Sequence, residues 1–309
     1  MSMSKLVDFP LIRQGSAKDI LRVDRTSIGF RFLGTYSVFD VGRAPDIIPG
    51  KAEAMCKSAV TSFKIAKKAG LLTHFIEQLD PVTIRVREAQ IITDRCCTPL
   101  DENYVLPAEL IYRLRVAGSI ERDFRSGKKK PEKYGLPPGV IPEPGSLFPK
   151  LVRHPTTKFE KIDRDLDTNE EICRMAGITP QDLEEYWQMV EAMVTAARPV
   201  LKRAGYDLLD GKAEMLVGPK RKKMFGDVFI TPDEDRPFPL YEYEIEGKIE
   251  HFGKEFLRQI HIESGYYDEL QVARKAGLPD PPIPRLTEEQ LIEVSRRYSA
   301  FSDDYELAA

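Results

Sequence analysis

Asp210-Gly211-Lys212-Ala213-Glu214, with Asp227 a short way on, is the stretch on which the reading of this chain turns. It suits two strands of a hairpin, the first over roughly 206–217 and the second over 224–230. Gly218-Pro219-Lys220-Arg221-Lys222-Lys223 joins them, a turn signal with a basic tip. Side chains on a strand alternate faces, so Asp210, Lys212 and Glu214 share one face while Ala213 and Met215 take the other. Asp227 on the returning strand then comes near Glu214 or Lys212. Two carboxylates about 5 Å apart repel by roughly 3 kcal/mol at an effective dielectric near 20. A divalent cation relieves that repulsion, and a hard one such as Mg²⁺ takes oxygen ligands and leaves positions for phosphate oxygens. Taken alone, the stretch suits a surface hairpin with scattered charges better than a metal site.

The composition narrows the choice. At 309 residues and 42% hydrophobic, the chain can bury a large core, as one big domain or as two lobes. A net charge of −3 argues against a general nucleic-acid binder but leaves room for a local basic pocket. No run approaches the roughly 18 apolar residues of a membrane span. MSMSKLVDFPLIRQ at the start lacks an apolar signal core, so a cytoplasmic protein is expected. Cys56, Cys96, Cys97 and Cys173 match no zinc spacing and read as free thiols. His74, His154, His251 and His261 are scattered, and no metal is placed on them.

Along the chain, alternation from Leu11 to about Phe32 predicts two or more antiparallel strands, interrupted at Gln14-Gly15-Ser16-Ala17-Lys18. A small-residue turn followed by a lysine can lay backbone N–H groups and an ammonium over phosphates, although a plain hairpin turn has the same composition. Residues 35–51 form a long irregular segment rich in small polar residues, suited to a polar pocket. Spacing predicts a helix over 51–69, then strands over 71–79 and 83–86. An apolar strand ending at Gly118-Ser119 carries Arg113 and Arg115 on one face, a clamp for phosphate or carboxylate, or else an edge strand. Residues 128–150 read as a surface excursion or a crossing between lobes. A helix start follows at Thr168-Asn169-Glu170-Glu171, and a long helix over 180–204. Another helix begins at Lys254, and a last one runs from 287 to about 301, with Thr287 and Gln290 as a capping box. Strands are expected to dominate before about 115 and helices after.

Eight stretches together resemble the SAICAR synthetase family: GSAKD (15–19), YSVFD (36–40), IPGKA (48–52), AELIYRLRVAGS (108–119), PTTKFEKIDR (155–164), DGKAE (210–214), FGDVFITPDEDR (225–236) and GKEFLRQ (253–259). The resemblance implies an α+β, two-lobed SAICAR synthase-like fold. An antiparallel-sheet N-terminal lobe (1–108) would cover ATP, a larger α/β C-terminal lobe (109–309) would carry the metal and substrate sites, and ATP would lie in the cleft. It also implies an ATP-dependent ligase that joins carboxyaminoimidazole ribotide (CAIR) to L-aspartate through an acyl phosphate, in de novo purine biosynthesis.

By that resemblance, Gly15, Ser16 and Lys18 would cover the ATP phosphates, and Glu109 would face adenine or ribose. Lys158 and Lys212 would hold phosphate oxygens, with Lys212 and Asp227 as the catalytic pair. Glu214 and Asp227 would hold Mg²⁺. Arg113, Ser119, Arg236 and Arg258 would bind the phosphorylated imidazole. Ser37, Asp40, Gly50 and Lys51 would line the pocket where aspartate and CAIR meet. Asp163 or Asp165 matches an acidic family position, and Asp165 is taken here. Ser16, Gly34 and Ala52 depart from the family pattern, and the latter two bear on the amine-donor pocket. A ligase with another carboxylate or amine, and a non-catalytic nucleotide-binding homologue, are the alternatives. A kinase lacks its HRD-type loop here. The oligomeric state stays open, a homodimer included.

Overall fold

The computed structural model describes residues 7–160 and 163–309. Met1–Leu6, and Lys161 and Ile162 of the PTTKFEKIDR stretch, lie outside the described residues. The chain divides into two compact units. One comprises residues 1–61, 75–87 and 251–309; the other comprises 62–74 and 88–250. The single cut expected after residue 108 is therefore replaced by a discontinuous division, in which the C-terminal helices join the N-terminal strands.

The first unit holds β1 (Leu11–Arg13), β2 (Lys18–Arg22), β3 (Ser27–Phe32) and the start of α1 (Lys51–Lys68). It also holds β4 (Phe75–Asp80) and β5 (Thr83–Arg87). The five strands form an antiparallel sheet in the order β1-β2-β3-β5-β4. Side-chain-to-backbone bonds make its tight turns. Asp24 Oδ1 accepts from the Thr26 amide at 2.8 Å, and Asp80 Oδ1 from the Val82 amide at 2.9 Å. The strand expected over 71–79 begins only at Phe75.

The second unit holds β6 (Tyr104–Arg115), α2 (Ser119–Arg125), β7 (Leu147–Thr157), α3 (Asn169–Ala176), α4 (Pro180–Arg203), β8 (Tyr206–Val217), β9 (Lys223–Gly226), β10 (Asp235–Pro239) and α5 (Leu240–Glu246). Its sheet runs β10-β8-β6-β7, with β9 also paired to β8. Among the described residues helices dominate beyond residue 115, as expected, although four strands also lie there. The 128–150 excursion stays within this unit and is not a crossing.

Packing explains the long elements. Thr179 and Asp182 close a capping box at the start of α4. Leu183, Trp187, Val190, Val194, Ala197 and Leu201 make its buried stripe. Each large apolar side chain so buried contributes about 1.5–3 kcal/mol. The first unit is completed by α6 (Gly253–Glu263), α7 (Tyr266–Lys275) and α8 (Glu288–Ala308). Thr287 and Gln290 cap α8 as the sequence implied. It runs further than 301 because Phe301 and Tyr305 extend its buried face.

The hairpin at 206–226 is present, but its second strand stops at Gly226 and not at 230. Asp227 and Ile230 take positive φ values of 44° and 52°, which ends the ladder. His74 Nε2 lies 2.8 Å from the Asp227 carbonyl oxygen and ties that turn down.

Candidate active site

The two groups described first lie within the second unit. β6 is interior, between β8 and β7, so the edge-strand alternative falls away. The β6–β8 register sets Glu109 opposite Glu214, Ile111 opposite Lys212, Tyr112 opposite Gly211 and Arg113 opposite Asp210. One sheet face therefore carries Glu109 and Arg113 from β6 with Asp210, Lys212 and Glu214 from β8.

Two lysines serve the acids on that face. Lys212 Nζ stands 2.9 Å from Glu109 Oε1, 3.0 Å from Glu234 Oε2 and 3.5 Å from Glu214 Oε1. Lys158, just past the end of β7, reaches Glu214 Oε1 at 2.5 Å and Glu109 Oε1 at 3.7 Å. Burial works against the charge on Lys212, but Glu234, Glu214 and Glu109 more than offset it and hold its pKa well above the usual value. Lys158 is likewise raised: burial opposes its charge, and Glu214 and Asp227 outweigh that. Burial pushes Glu109 up, and the charge of Glu214 adds to the effect. Asp227 follows Gly226, the residue paired with Glu214, so the turn out of β9 brings a fourth carboxylate to this group.

A second group adjoins the first along the strands. Arg113 Nη1 donates to Asp210 Oδ2 at 2.9 Å, and its Nη2 to Ser119 Oγ at 3.0 Å. Arg236 Nε donates to Asp210 Oδ1 at 2.7 Å, and its Nη2 to Asp210 Oδ2. Two guanidinium groups thus share one carboxylate. Arg113 Nε is buried with no hydrogen-bond partner among the described residues. Arg115 does not complete the expected clamp. Its Nη2 pairs with fully buried Asp207 at 2.9 Å, and its guanidinium stacks over Phe238 and Tyr243. His154 Nε2 lies 2.9 Å from Asp165 Oδ1, and Lys129 lies 3.8 Å from Asp165 Oδ2. Burial holds Arg113 below the usual arginine range, against the opposing pull of Asp210 and Asp165. Asp163 is exposed.

The remaining expected residues belong to the first unit. Gly15 N donates to Asp19 Oδ1 at 3.2 Å, and Ser16 Oγ lies 3.5 Å from Ser37 Oγ. Lys18 lays its ammonium over the Phe30 ring, 4.7 Å from the centroid. Asp40 is exposed with φ 59°, and Gly50 is exposed at φ 72°. Lys51 is fully buried, with its ammonium over the Tyr298 ring. Arg258, on α6, pairs with Glu255 at 3.1 Å.

Sequence reasoning missed Glu234 as the third acid on Lys212 and Asp210 as the carboxylate shared by two arginines. The acidic run Asp233-Glu234-Asp235 just ahead of Arg236 was the available signal.

Comparison with known proteins gives the class, an ATP-dependent, amide-forming carbon–nitrogen ligase. The chain matches the SAICAR synthetase family over residues 11–273 and belongs to it. Its activity is to join CAIR and L-aspartate into SAICAR at the expense of ATP, a step of purine biosynthesis. It is 34% identical to the phosphoribosylaminoimidazole-succinocarboxamide synthase of Thermoplasma acidophilum, covering 93% of this chain and 95% of that one. The same enzyme of Nitrosopumilus maritimus is 27% identical, covering 93% and 94%. In fold, the chain is similar to the Saccharomyces cerevisiae SAICAR synthase solved with SAICAR, at a TM-score of 0.70 and 18% identity, over 99% of this chain and 98% of that one. A SAICAR synthetase solved with ADP gives a TM-score of 0.61 at 19% identity, over 80% and 89%.

Proposed function

We propose that the lysine–carboxylate array around Lys212 holds the ATP phosphates and that the Arg113–Asp210–Arg236 group holds the sugar phosphate of CAIR. The observation that carries this reading is the shared sheet face. The two groups stand on adjacent alternate positions of β6 and β8, so a triphosphate on one places its terminal phosphoryl beside a ligand on the other. Lys212 and Lys158 each contact two or more carboxylates, a balance that anionic phosphate oxygens can enter by displacing acids as partners. Relatives solved with ADP and with SAICAR support two anionic ligands on this fold.

Magnesium fits the donor set. No group of three or more His, Cys, Asp or Glu among the described residues forms a metal cage. A nucleotide-bound Mg²⁺ needs only one or two carboxylates, with phosphate oxygens and water completing its shell. Glu214 and Asp227 would supply those carboxylates. When bound, the ion neutralises charge on the phosphates.

Lys212 and Lys158 orient the terminal phosphoryl and stabilise charge as it moves toward ADP. The CAIR carboxylate oxygen attacks that phosphoryl, giving ADP and an acyl phosphate. The aspartate amine then attacks the acyl carbon, and phosphate leaves as the amine gives up a proton. Arg113, Arg236 and Ser119 hold CAIR by its phosphate, which keeps the reacting carboxylate in place. Asp165, held by His154, faces this group as the acidic neighbour of the imidazole.

Gly15, Ser16 and Lys18 retain their assignment to the ATP phosphates, and Ser37, Asp40, Gly50 and Arg258 theirs to CAIR and aspartate. Lys51, buried with its ammonium over the Tyr298 ring, keeps its assignment to the same pocket. A cytoplasmic location suits a purine-pathway enzyme with four free cysteines. A homodimer is the assembly to examine by light scattering. The reading is tested by equilibrium binding of ATP and CAIR to Lys212→Met and Arg236→Ala. Each variant should lose its own ligand, and loss of both ligands by either one counts against two separate groups.

A further inference from the structure

On the other face of the same sheet, Tyr112, Gly211 and Asp235 lie in one row across β6, β8 and β10. The Tyr112 hydroxyl donates to Asp235 Oδ1, and the Thr231 amide donates to Asp235 Oδ2 at 3.1 Å. A Cβ at Gly211 would fall onto both the Tyr112 hydroxyl and the Asp235 carboxyl, so only glycine lets them meet across β8. Asp235 is buried, and Tyr112 is only 2% exposed.

The residues on either side of this row are the site. Arg236 pairs with Asp210, one step along β8 from Gly211, and Glu234 pairs with Lys212, one step the other way. Arg113, beside Tyr112, meets the same Asp210. A slip of β10 by one residue would turn Arg236 to the back of the sheet and Asp235 to the front. β10 is the edge strand, and its register against β8 already shifts between Asp235 and Pro237. Its alignment at this point therefore needs a side-chain contact.

We propose that Tyr112 and Asp235 are positioning residues: their hydrogen bond behind the sheet pins β10 against β8 and so aims Arg236 at the sugar phosphate of CAIR. The inference rests on the reading of Arg113 and Arg236 given above. Burial supports a neutral Asp235, with its carboxyl pushed up to about 8. The titratable groups that bear on it are the Tyr112 phenol on β6 and Glu234 on its own segment. A neutral acid–phenol pair suits a buried pin, because it leaves no uncompensated charge.

The test measures KM for CAIR and for ATP, with thermal melts, in wild type, Tyr112→Phe, Arg236→Ala, the double variant and Asp235→Asn. Tyr112→Phe should raise KM for CAIR about fivefold to tenfold, the scale of one lost buried hydrogen bond. It should leave KM for ATP within about twofold, because the pin acts through Arg236. The double variant should be no worse than Arg236→Ala alone, the signature of one residue acting through another. Asp235→Asn should stay near wild type, since its amide still meets the Thr231 N–H and the Tyr112 hydroxyl, which can donate or accept. Additive losses in the double variant, or equal rises in both KM values for Tyr112→Phe, overturn the pin. An Arg236→Ala effect with Tyr112→Phe silent overturns the pin alone. If Arg236→Ala leaves KM for CAIR unchanged, the sugar-phosphate reading fails and the pin goes with it.

Discussion

Glu109 and Glu214 face each other directly across the β6–β8 ladder, and both contact the ammonium groups of Lys212 and Lys158. Like charges in opposed strand positions repel, so this pair persists only with its counter-charges. Lys212→Met should lower stability by about 1–3 kcal/mol, because it strips a partner from two largely buried acids. It should also abolish measurable turnover. Adding Glu109→Gln should recover part of the stability and none of the activity. Urea melts of both variants decide the point, and a Lys212→Met protein as stable as wild type would show that the acids do not depend on that lysine.

Asp227 owes its place to the turn that ends β9, where it holds a φ of 44°. Asparagine tolerates that conformation almost as well, so Asp227→Asn should keep the fold. Turnover should fall by about 100-fold or more as a charged oxygen donor is lost. The check is kcat at saturating Mg²⁺ beside a circular-dichroism melt. Wild-type turnover would remove Asp227 from the site.

Arg236→Ala removes one of the two guanidinium groups on Asp210 and should raise KM for CAIR about tenfold or more, with a much smaller change for ATP. Arg258→Ala, on the other unit, should do the same if Arg258 also meets CAIR. Steady-state kinetics with each substrate varied in turn separates the effects. Equal rises for both substrates would place these arginines elsewhere in function.

Asp235 has a folded-state pKa of about 8 against an ordinary 3.8. The folded chain therefore holds a proton that the unfolded chain releases across that interval. The stabilisation from neutral Asp235 is complete below the unfolded value and is lost as pH rises through about 8. Asp235→Asn carries no such proton. The stability of wild type relative to this variant should fall steadily between pH 5 and pH 9, measured by denaturant melts; parallel curves would mean that Asp235 is ionised throughout.

A Cβ at Gly34 would lie 2.8 Å from Ile47 Cγ2 and 2.9 Å from the Ile48 carbonyl oxygen. The Ile48 amide also bonds the Gly34 carbonyl at 2.8 Å. Glycine here is a packing requirement of this chain, so its departure from the family pattern need not signal another amine substrate. Gly34→Asp should destabilise the protein by about 1–3 kcal/mol. A neutral melt combined with tighter aspartate binding would reverse that view.

Much of this was legible in the sequence, because period-two alternation and capping chemistry are local. The bounds of β8, the Thr287–Gln290 box and the shared face of Asp210, Lys212 and Glu214 all follow from neighbours along the chain. What was not legible depends on partners far apart in sequence. Arg113 and Arg115 look alike on paper, but Asp207 takes one and Asp210 the other. The early end of β9 depends on His74, which lies 153 positions away. Glu234 went unassigned because nothing local shows that Lys212 lies beside it.

The central claim is most directly tested by following ADP release from the purified protein with ATP, Mg²⁺ and CAIR, offering each of the twenty amino acids in turn. The expected result is ADP and SAICAR in equal amounts with L-aspartate, and no release when Lys212 is replaced by Met. Release that prefers another amine, or that survives the loss of Lys212, would contradict the account.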